Sequence, residues 1–167
     1  FTAEMVDMVD LADGVIRSLL PAARARQLDI GLEAAVRPVL VSGTEWLLRE
    51  AATNLVDNAI RYASPAGEVT VTVQAGDGLA RLIVEDDGPG MSAEDIARAC
   101  VRFRRGAAGK NKPGAGLGLA IVGTIADILG AKLILENRAP LPGLRAALVF
   151  SLEPATDAAP HHENGSF

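Results

Sequence analysis

Apolar and polar positions change period several times along the chain, and each change marks an element. Leu11, Val15, Ile16, Leu19 and Leu20 recur at the spacing of one helical face. That spacing predicts a helix over residues 10–27, with Asp10 as N-cap and a kink or interruption at Pro21. Leu28, Ile30, Leu32 and Ala34 then alternate with polar or small residues, and 38–41 is a second short apolar run. Two strands are expected there. Ser42-Gly43-Thr44-Glu45 has the form of a capping box, and Val41 with Trp46 that of a hydrophobic staple. Together they open a helix over 43–63, which Ser64-Pro65 closes. Val69, Val71 and Val73 oppose Thr70 and Thr72 in a strand over 68–74, and Gly76-Asp77-Gly78 turns the chain into another at 79–84. An antiparallel hairpin follows from that spacing. Ser92 caps a short helix to about Cys100, and residues 101–113 read as a loop. A helix over 117–129 and strands at 132–136 and 144–152 complete the pattern. Helices grouped beside antiparallel strands, without strict alternation, give an α/β two-layer sandwich, with helices on one face of a mixed, mostly antiparallel sheet.

Composition narrows the class. At 167 residues and 49% hydrophobic content the chain holds one ordinary core. The expected division is a connecting segment at 1–9, a folded domain at 10–153 and a disordered tail at 154–167. A net charge of −5 argues against nucleic-acid binding, which needs a basic footprint. The single cysteine, Cys100, permits no internal disulfide, and no apolar run reaches the length of a membrane span. Both histidines, His161 and His162, fall in the tail.

The predicted helix through residues 50–62 carries the first chemical signal. At about 100° per residue, Glu50, Asn54, Asp57, Asn58 and Arg61 share one arc with Tyr62 on its flank. Leu48, Ala52, Leu55, Val56 and Ala59 hold the other side. Asparagines four apart are poor helix formers and bring no charge pairing, so helix stability does not account for them. Their carbonyl oxygens are hard ligands of the kind magnesium accepts, and an arginine one turn on suits phosphate.

Three further stretches add to it. Asp86-Asp87-Gly88-Pro89-Gly90-Met91 follows a strand. It reads equally as a plain turn or as a buried carboxylate beside glycines that admit a flat ligand. In the second case Asp86 could accept from an exocyclic amino group. Gly114-Ala115-Gly116-Leu117-Gly118-Leu119 opens a helix, where backbone N–H groups can face an anion. Its Gly-x-Gly-x-Gly spacing is not the dinucleotide fingerprint. Arg102, Arg104, Arg105, Lys110 and Lys112 concentrate positive charge around Phe103, either as a solvated loop or as a lid over polyphosphate.

In order and spacing, Asn54-Leu-Val-Asp-Asn58-Ala-Ile-Arg-Tyr62, Asp86-x-Gly88-x-Gly90, Arg102-Phe103 and Gly114-x-Gly116-Leu-Gly118-Leu119 resemble the asparagine, first glycine, phenylalanine and second glycine boxes of sensor histidine kinases. These belong to the GHKL superfamily of Bergerat-fold ATP-binding domains, and the resemblance covers roughly residues 10–152. It implies ATP and Mg2+ as cofactors, with Asn58 and Asn54 holding the metal and Arg61 on phosphate. Tyr62 would cover the adenine and Asp86 take its amino group, with Gly88, Gly90 and Met91 in the same wall. Phe103, Arg105 and Lys110 would belong to the lid, and Gly114, Gly116, Leu117, Gly118 and Leu119 would cradle the phosphates.

The resemblance further implies a catalytic domain that donates the γ-phosphoryl to a histidine on a separate dimerisation domain. A response regulator would lie downstream, and the parent would be homodimeric and anchored in the bacterial inner membrane with this domain in the cytoplasm. The chain alone is not expected to autophosphorylate. A second register, Glu50-x-x-x-Asn54, resembles the base-plus-asparagine pair of ATPases and anti-sigma serine kinases of the superfamily, with Glu50 as base. In the first register Asn54 stands where a water-activating carboxylate would be, which suits slow hydrolysis. A non-enzymatic nucleotide-gated interaction module is the third alternative.

Overall fold

The half-buried strand pattern at 68–74 is the centre of the molecule. In the computed structural model, which describes residues 2–105 and 116–152, β4 (Glu68–Gly76) buries Val69, Val71 and Val73 and leaves Thr70 and Thr72 half-exposed. Asp77 and Gly78 both take positive φ, the conformation a tight hairpin turn requires. They join β4 antiparallel to β5 (Leu79–Asp86). On one side β2 (Asp29–Ala34) pairs parallel to β4; on the other, β7 (Leu144–Ser151) and β6 (Lys132–Asn137) continue antiparallel. The order β2-β4-β5-β7-β6 is the mixed, mostly antiparallel sheet expected from the pattern.

Helices α1 (Met8–Ala25), α2 (Glu45–Tyr62) and α4 (Gly116–Leu129) pack on this sheet. Leu11 and Val15 from α1, Leu48, Leu55 and Val56 from α2, and Leu119 and Val122 from α4 share one core with the valines of β4 and with Leu82, Val84 and Leu148. Fully burying a side chain of this kind contributes about 1.5–3 kcal/mol, so the shared core fixes α2 on the sheet.

Several boundaries differ from those the sequence predicts, each for a physical reason. Residues 4–9, read as connection, take part in the fold. Strand β1 (Glu4–Asp7) pairs antiparallel with β3 (Leu40–Gly43), and Met8 and Val9 are buried. The cap of α1 is therefore Asp7, not Asp10; its Oδ1 accepts from the backbone N–H of Val9 at 3.0 Å and of Val39 at 3.2 Å. Pro21 does not interrupt α1, which continues to Ala25 with Ala23 fully buried beyond it. The capping box at Ser42 does not form, because Ser42 is a ladder residue opposite Met5. The N-cap of α2 is Thr44, without a side-chain bond, and Glu45 instead pairs forward with Arg49 at 2.6 Å. Of the two residues expected to form a staple, Val41 is buried and Trp46 is 57% exposed.

Ser92 does cap α3 (Ala93–Arg105), its Oγ accepting from the Asp95 N–H at 3.1 Å. The helix runs five residues past Cys100 because residues 101–105 contain no glycine or proline, the first breaker being Gly106. The expected loop at 101–113 therefore does not begin before residue 106. Among the described residues, no helix is long and apolar enough to cross a membrane.

Candidate functional site

Helix α2 divides as its sequence predicts. Leu48, Ala52, Leu55, Val56 and Ala59 are buried in the core, while Glu50, Arg61 and Tyr62 are exposed and Asn54 and Asp57 intermediate. Asn58 is the exception on the polar arc. It is buried, and among the described residues no hydrogen bond ends on its side-chain amide. One turn earlier, Asn54 donates its amide N–H groups to the Glu50 backbone oxygen at 2.8 Å and to Glu50 Oε1 at 3.3 Å. Its Oδ1 is left as acceptor and lies 3.5 Å from where a Cβ on Gly118 would stand. Asn54 is thus brought against the glycine-opened start of α4. Arg61 is not directed at a common point with the asparagines; it pairs with Asp57 at 3.1 Å on the exposed flank.

The strand β5 ends on Asp86, which with Asn58 makes up the buried polar residues among the described residues. Its Oδ1 accepts from the backbone N–H of Gly88 at 2.9 Å and of Leu144 at 3.4 Å. Both bonds converge on one oxygen, which leaves Oδ2 outside them. Burial raises the Asp86 carboxyl above its ordinary value, the Gly88 and Leu144 N–H groups and Arg138 draw it back, and Asp87 pushes it up again.

The glycines of this turn are required by the protein itself. A Cβ on Gly88 would stand 1.9 Å from the Tyr62 carbonyl oxygen, and one on Gly90, whose φ is +74°, would stand 2.4 Å from Asn137 Oδ1. The turn is therefore pressed between the end of α2 and the end of β6. Of the two readings the sequence leaves open for these glycines, a plain turn or room for a flat ligand, close packing within the protein already demands the first.

Four residues that build this wall are assigned no role by the sequence. Asp87 lies inside the first glycine box, yet its carboxylate accepts from the N–H groups of Ser64 and Glu68, both at 3.0 Å, and ties the turn after α2 to the turn after β5. Arg26 donates its guanidinium N–H groups to the carbonyls of Ile60, Arg61 (3.0 Å) and Ala63 (2.9 Å), capping the end of α2 that bears Arg61 and Tyr62. Asn137 and Arg138 hold the turn from the other side: Asn137 bonds the Met91 backbone and Arg138 Nη1 donates to the Asp86 carbonyl at 2.8 Å. Only a helix-end arginine with unsatisfied carbonyls nearby could have hinted at Arg26, and sequence does not show which carbonyls those are. Arg26→Ala is expected to cost about 1–3 kcal/mol in urea denaturation, since it strips partners from the carbonyls at the end of α2. A loss under about 0.5 kcal/mol would mean that water replaces the cap fully.

At the head of α4, Gly116 opens the helix and Gly118 faces Asn54, as above. The side chain of Leu119 is buried in the core, so only its backbone is available to a ligand. Tyr62 is 37% exposed beside the glycine turn. Phe103 and Arg105 stand on the last turn of α3, with side chains outside the described part. Lys110 and Gly114 lie outside the described residues, as do His161 and His162, and the side chain of Leu117 is likewise not described. The donor set fits magnesium: Asn54 and Asn58 offer amide oxygens, hard donors one turn apart on α2.

A two-layer sandwich of this topology, with a buried carboxylate ending an inner strand and a glycine-opened helix against the asparagine face, defines the Bergerat-fold ATPase class. The chain belongs to the family of histidine kinase-, DNA gyrase B- and HSP90-like ATPases, whose model matches residues 43–155, and within it is a histidine-kinase catalytic ATPase domain. It is 37% identical over 135 residues to the signal transduction histidine-protein kinase/phosphatase MprB of Mycolicibacterium vanbaalenii, covering 80% of this chain and 28% of that protein. A solved mycobacterial sensor histidine kinase MprB is 31% identical and superposes with a TM-score of 0.72 over 90% of this chain and 97% of the other. Full-length ShkA, solved in complex with AMPPNP, is 27% identical with a TM-score of 0.76, over 91% of this chain and 31% of that one. The chain thus spans under a third of the length of the curated relatives it matches.

Proposed function

We propose that this domain binds Mg-ATP and donates the γ-phosphoryl to a histidine on a separate helical dimerisation domain of a homodimeric, inner-membrane-anchored sensor kinase, which then passes the group to a response regulator. The observation that carries the reading is Asp86: a buried carboxylate whose backbone bonds both fall on Oδ1, so that Oδ2 can accept from the exocyclic amine of adenine. A site built around that acceptor rejects a base lacking the amine, because a buried charge is then left unmatched.

Asn58 and Asn54 would hold Mg2+, which when bound neutralises charge on the phosphates. The remaining work belongs to the chain's own groups. Tyr62 stands at the edge of the base site, and the N–H groups at the start of α4 face the phosphates from a helix N-terminus. Arg61 reaches phosphate by leaving its exposed pair with Asp57, an exchange that costs little because exposed pairs contribute only about 0–1 kcal/mol. Asn54 cannot take a proton from water, and the Glu50 carboxylate already accepts from the Asn54 amide. The arrangement therefore favours transfer to a protein acceptor over hydrolysis.

The test is trans-phosphorylation of the parent's histidine-bearing domain with Mg-ATP. Transfer is expected with the wild-type chain and is expected to fall more than about tenfold in Asn58→Ala, which removes a proposed metal ligand. Undiminished transfer in Asn58→Ala would remove Asn58 from the site. Transfer to serine, abolished by Glu50→Gln, would replace this reading with that of a serine kinase.

A further inference from the structure

Asn137 was not singled out by any motif, yet its side chain does what a neighbouring strand would do. Its Oδ1 accepts from the Met91 N–H at 2.9 Å and its Nδ2 donates to the Met91 carbonyl at 2.6 Å. The two bonds together grip the backbone of one residue in both directions. Gly90 confirms how close the grip is, since any side chain there would strike Asn137 Oδ1, and its φ of +74° is set in the same turn. The next residue, Arg138, donates to the Asp86 carbonyl and pairs with Glu85 at 3.3 Å. The end of β6 therefore holds the segment from Glu85 to Met91 at both of its ends. Between those two points lies Gly88, whose N–H is one of the two bonds that orient the Asp86 carboxylate.

From this geometry we infer that Asn137 is a positioning residue for base recognition: its amide clamp on Met91 holds the Gly88–Met91 turn in the place where Asp86 discriminates a 6-aminopurine from one with a carbonyl at that same position. The inference rests on the nucleotide reading above and deepens it. Loss of the clamp frees the turn at its far end, the Gly88 N–H drifts from Oδ1, and the carboxylate is no longer held at one angle. Affinity for adenine nucleotide falls. Affinity for guanine nucleotide, which in the same pose presents a carbonyl oxygen where adenine presents its amine, falls less. A residue that only stabilised the fold would lower the melting temperature and leave the ratio alone.

The experiment compares the wild-type chain, Asn137→Ala and Val71→Ala, the last a core substitution in β4 that destabilises at a distance from the turn. Calorimetric titration with Mg-ATP and with Mg-GTP gives the affinity ratio, and amide hydrogen exchange at Met91 without nucleotide reports the clamp itself. Asn137→Ala is expected to weaken Mg-ATP binding about tenfold, to lower the ATP-over-GTP ratio several-fold and to speed Met91 exchange. Val71→Ala is expected to keep the wild-type ratio. A wild-type ratio in Asn137→Ala, with Met91 exchange accelerated, overturns the inference while leaving the nucleotide reading intact. A wild-type chain that binds neither nucleotide overturns that reading and the inference with it.

Discussion

Asp86→Asn is expected to abolish Mg-ATP binding and, in the same molecule, to make the empty domain more stable near neutral pH. The binding loss follows from the acceptor: the single oxygen of Asn at this position is taken by the Gly88 and Leu144 N–H groups, which leaves its NH2 facing the amine of the base. An unmatched partner of a buried charge-assisted hydrogen bond costs about 2 kcal/mol or more, at least a ~30-fold loss of affinity by titration calorimetry. The stability gain follows from burial, which raises the Asp86 carboxyl above its ordinary value. The folded chain then holds that proton more tightly than the unfolded chain does. Between the ordinary value and the raised one, the folded state binds more protons, so stability falls as the pH rises through the window. Above the window the ionised carboxylate remains as a cost that the asparagine does not carry. Urea denaturation should show the variant more stable than wild type at about pH 8, and the difference should disappear at about pH 3, where both states of the wild-type carboxyl are protonated. An Asp86→Asn protein that is less stable at about pH 8, or that binds Mg-ATP as tightly as wild type, contradicts the role given to this carboxylate. Stability traded for a ligand is what a binding group held in a poor solvent for its charge should display.

What sequence could read here are features whose cause is local. The alternation at Val69–Val73 and the polar arc on α2 are periodicities, and both survive in the structure as burial. The Asp77-Gly78 turn is legible because two positive φ values in a row select those residues. Where the cause is remote, the reading slips. Ser42 has a capping-box neighbour at Glu45, but the ladder with Met5 claims it first, and nothing near Ser42 announces β1. Asp10 looks like a cap until Asp7 is seen to serve α1 and Val39 together. The site shows the same division. Asn58 stands out because asparagines four apart are poor helix formers, and Asp86 because it follows directly on an apolar strand and precedes glycines. Arg26, Asp87, Asn137 and Arg138 do not, because an exposed or half-exposed polar residue at the end of an element is ordinary until its partner, 19 to 52 positions away, is known.

Gly143→Ala, at a position outside every motif, is expected to be among the most damaging single substitutions in the domain. Its φ is +121°, where a side chain is strained, and a Cβ there would stand 1.8 Å from the Asp86 carbonyl oxygen and 2.7 Å from its carbon. Both atoms are backbone, so no rotamer change relieves the clash. Either β7 parts from β5 at its first residues or Asp86 moves, and Asp86 is held by Arg138 on the same carbonyl and by the Leu144 N–H on its carboxylate. Strain and overpacking of this kind cost about 3 kcal/mol or more, a large share of the 5–15 kcal/mol that holds a domain together. Gly31→Ala, in β2 with nothing within 4 Å of the added carbon, is expected to be neutral or stabilising by up to about 1 kcal/mol. Urea midpoints of the two variants should differ in that sense; equal midpoints would mean that the approach of Gly143 to Asp86 is not as close as described. Any folded Gly143→Ala should also bind Mg-ATP weakly, because the backbone that yields is the one that aims the carboxylate. Stability and binding then fall together, whereas Asp86→Asn drives them apart. That opposition separates a residue that shapes the site from the residue whose charge is the site.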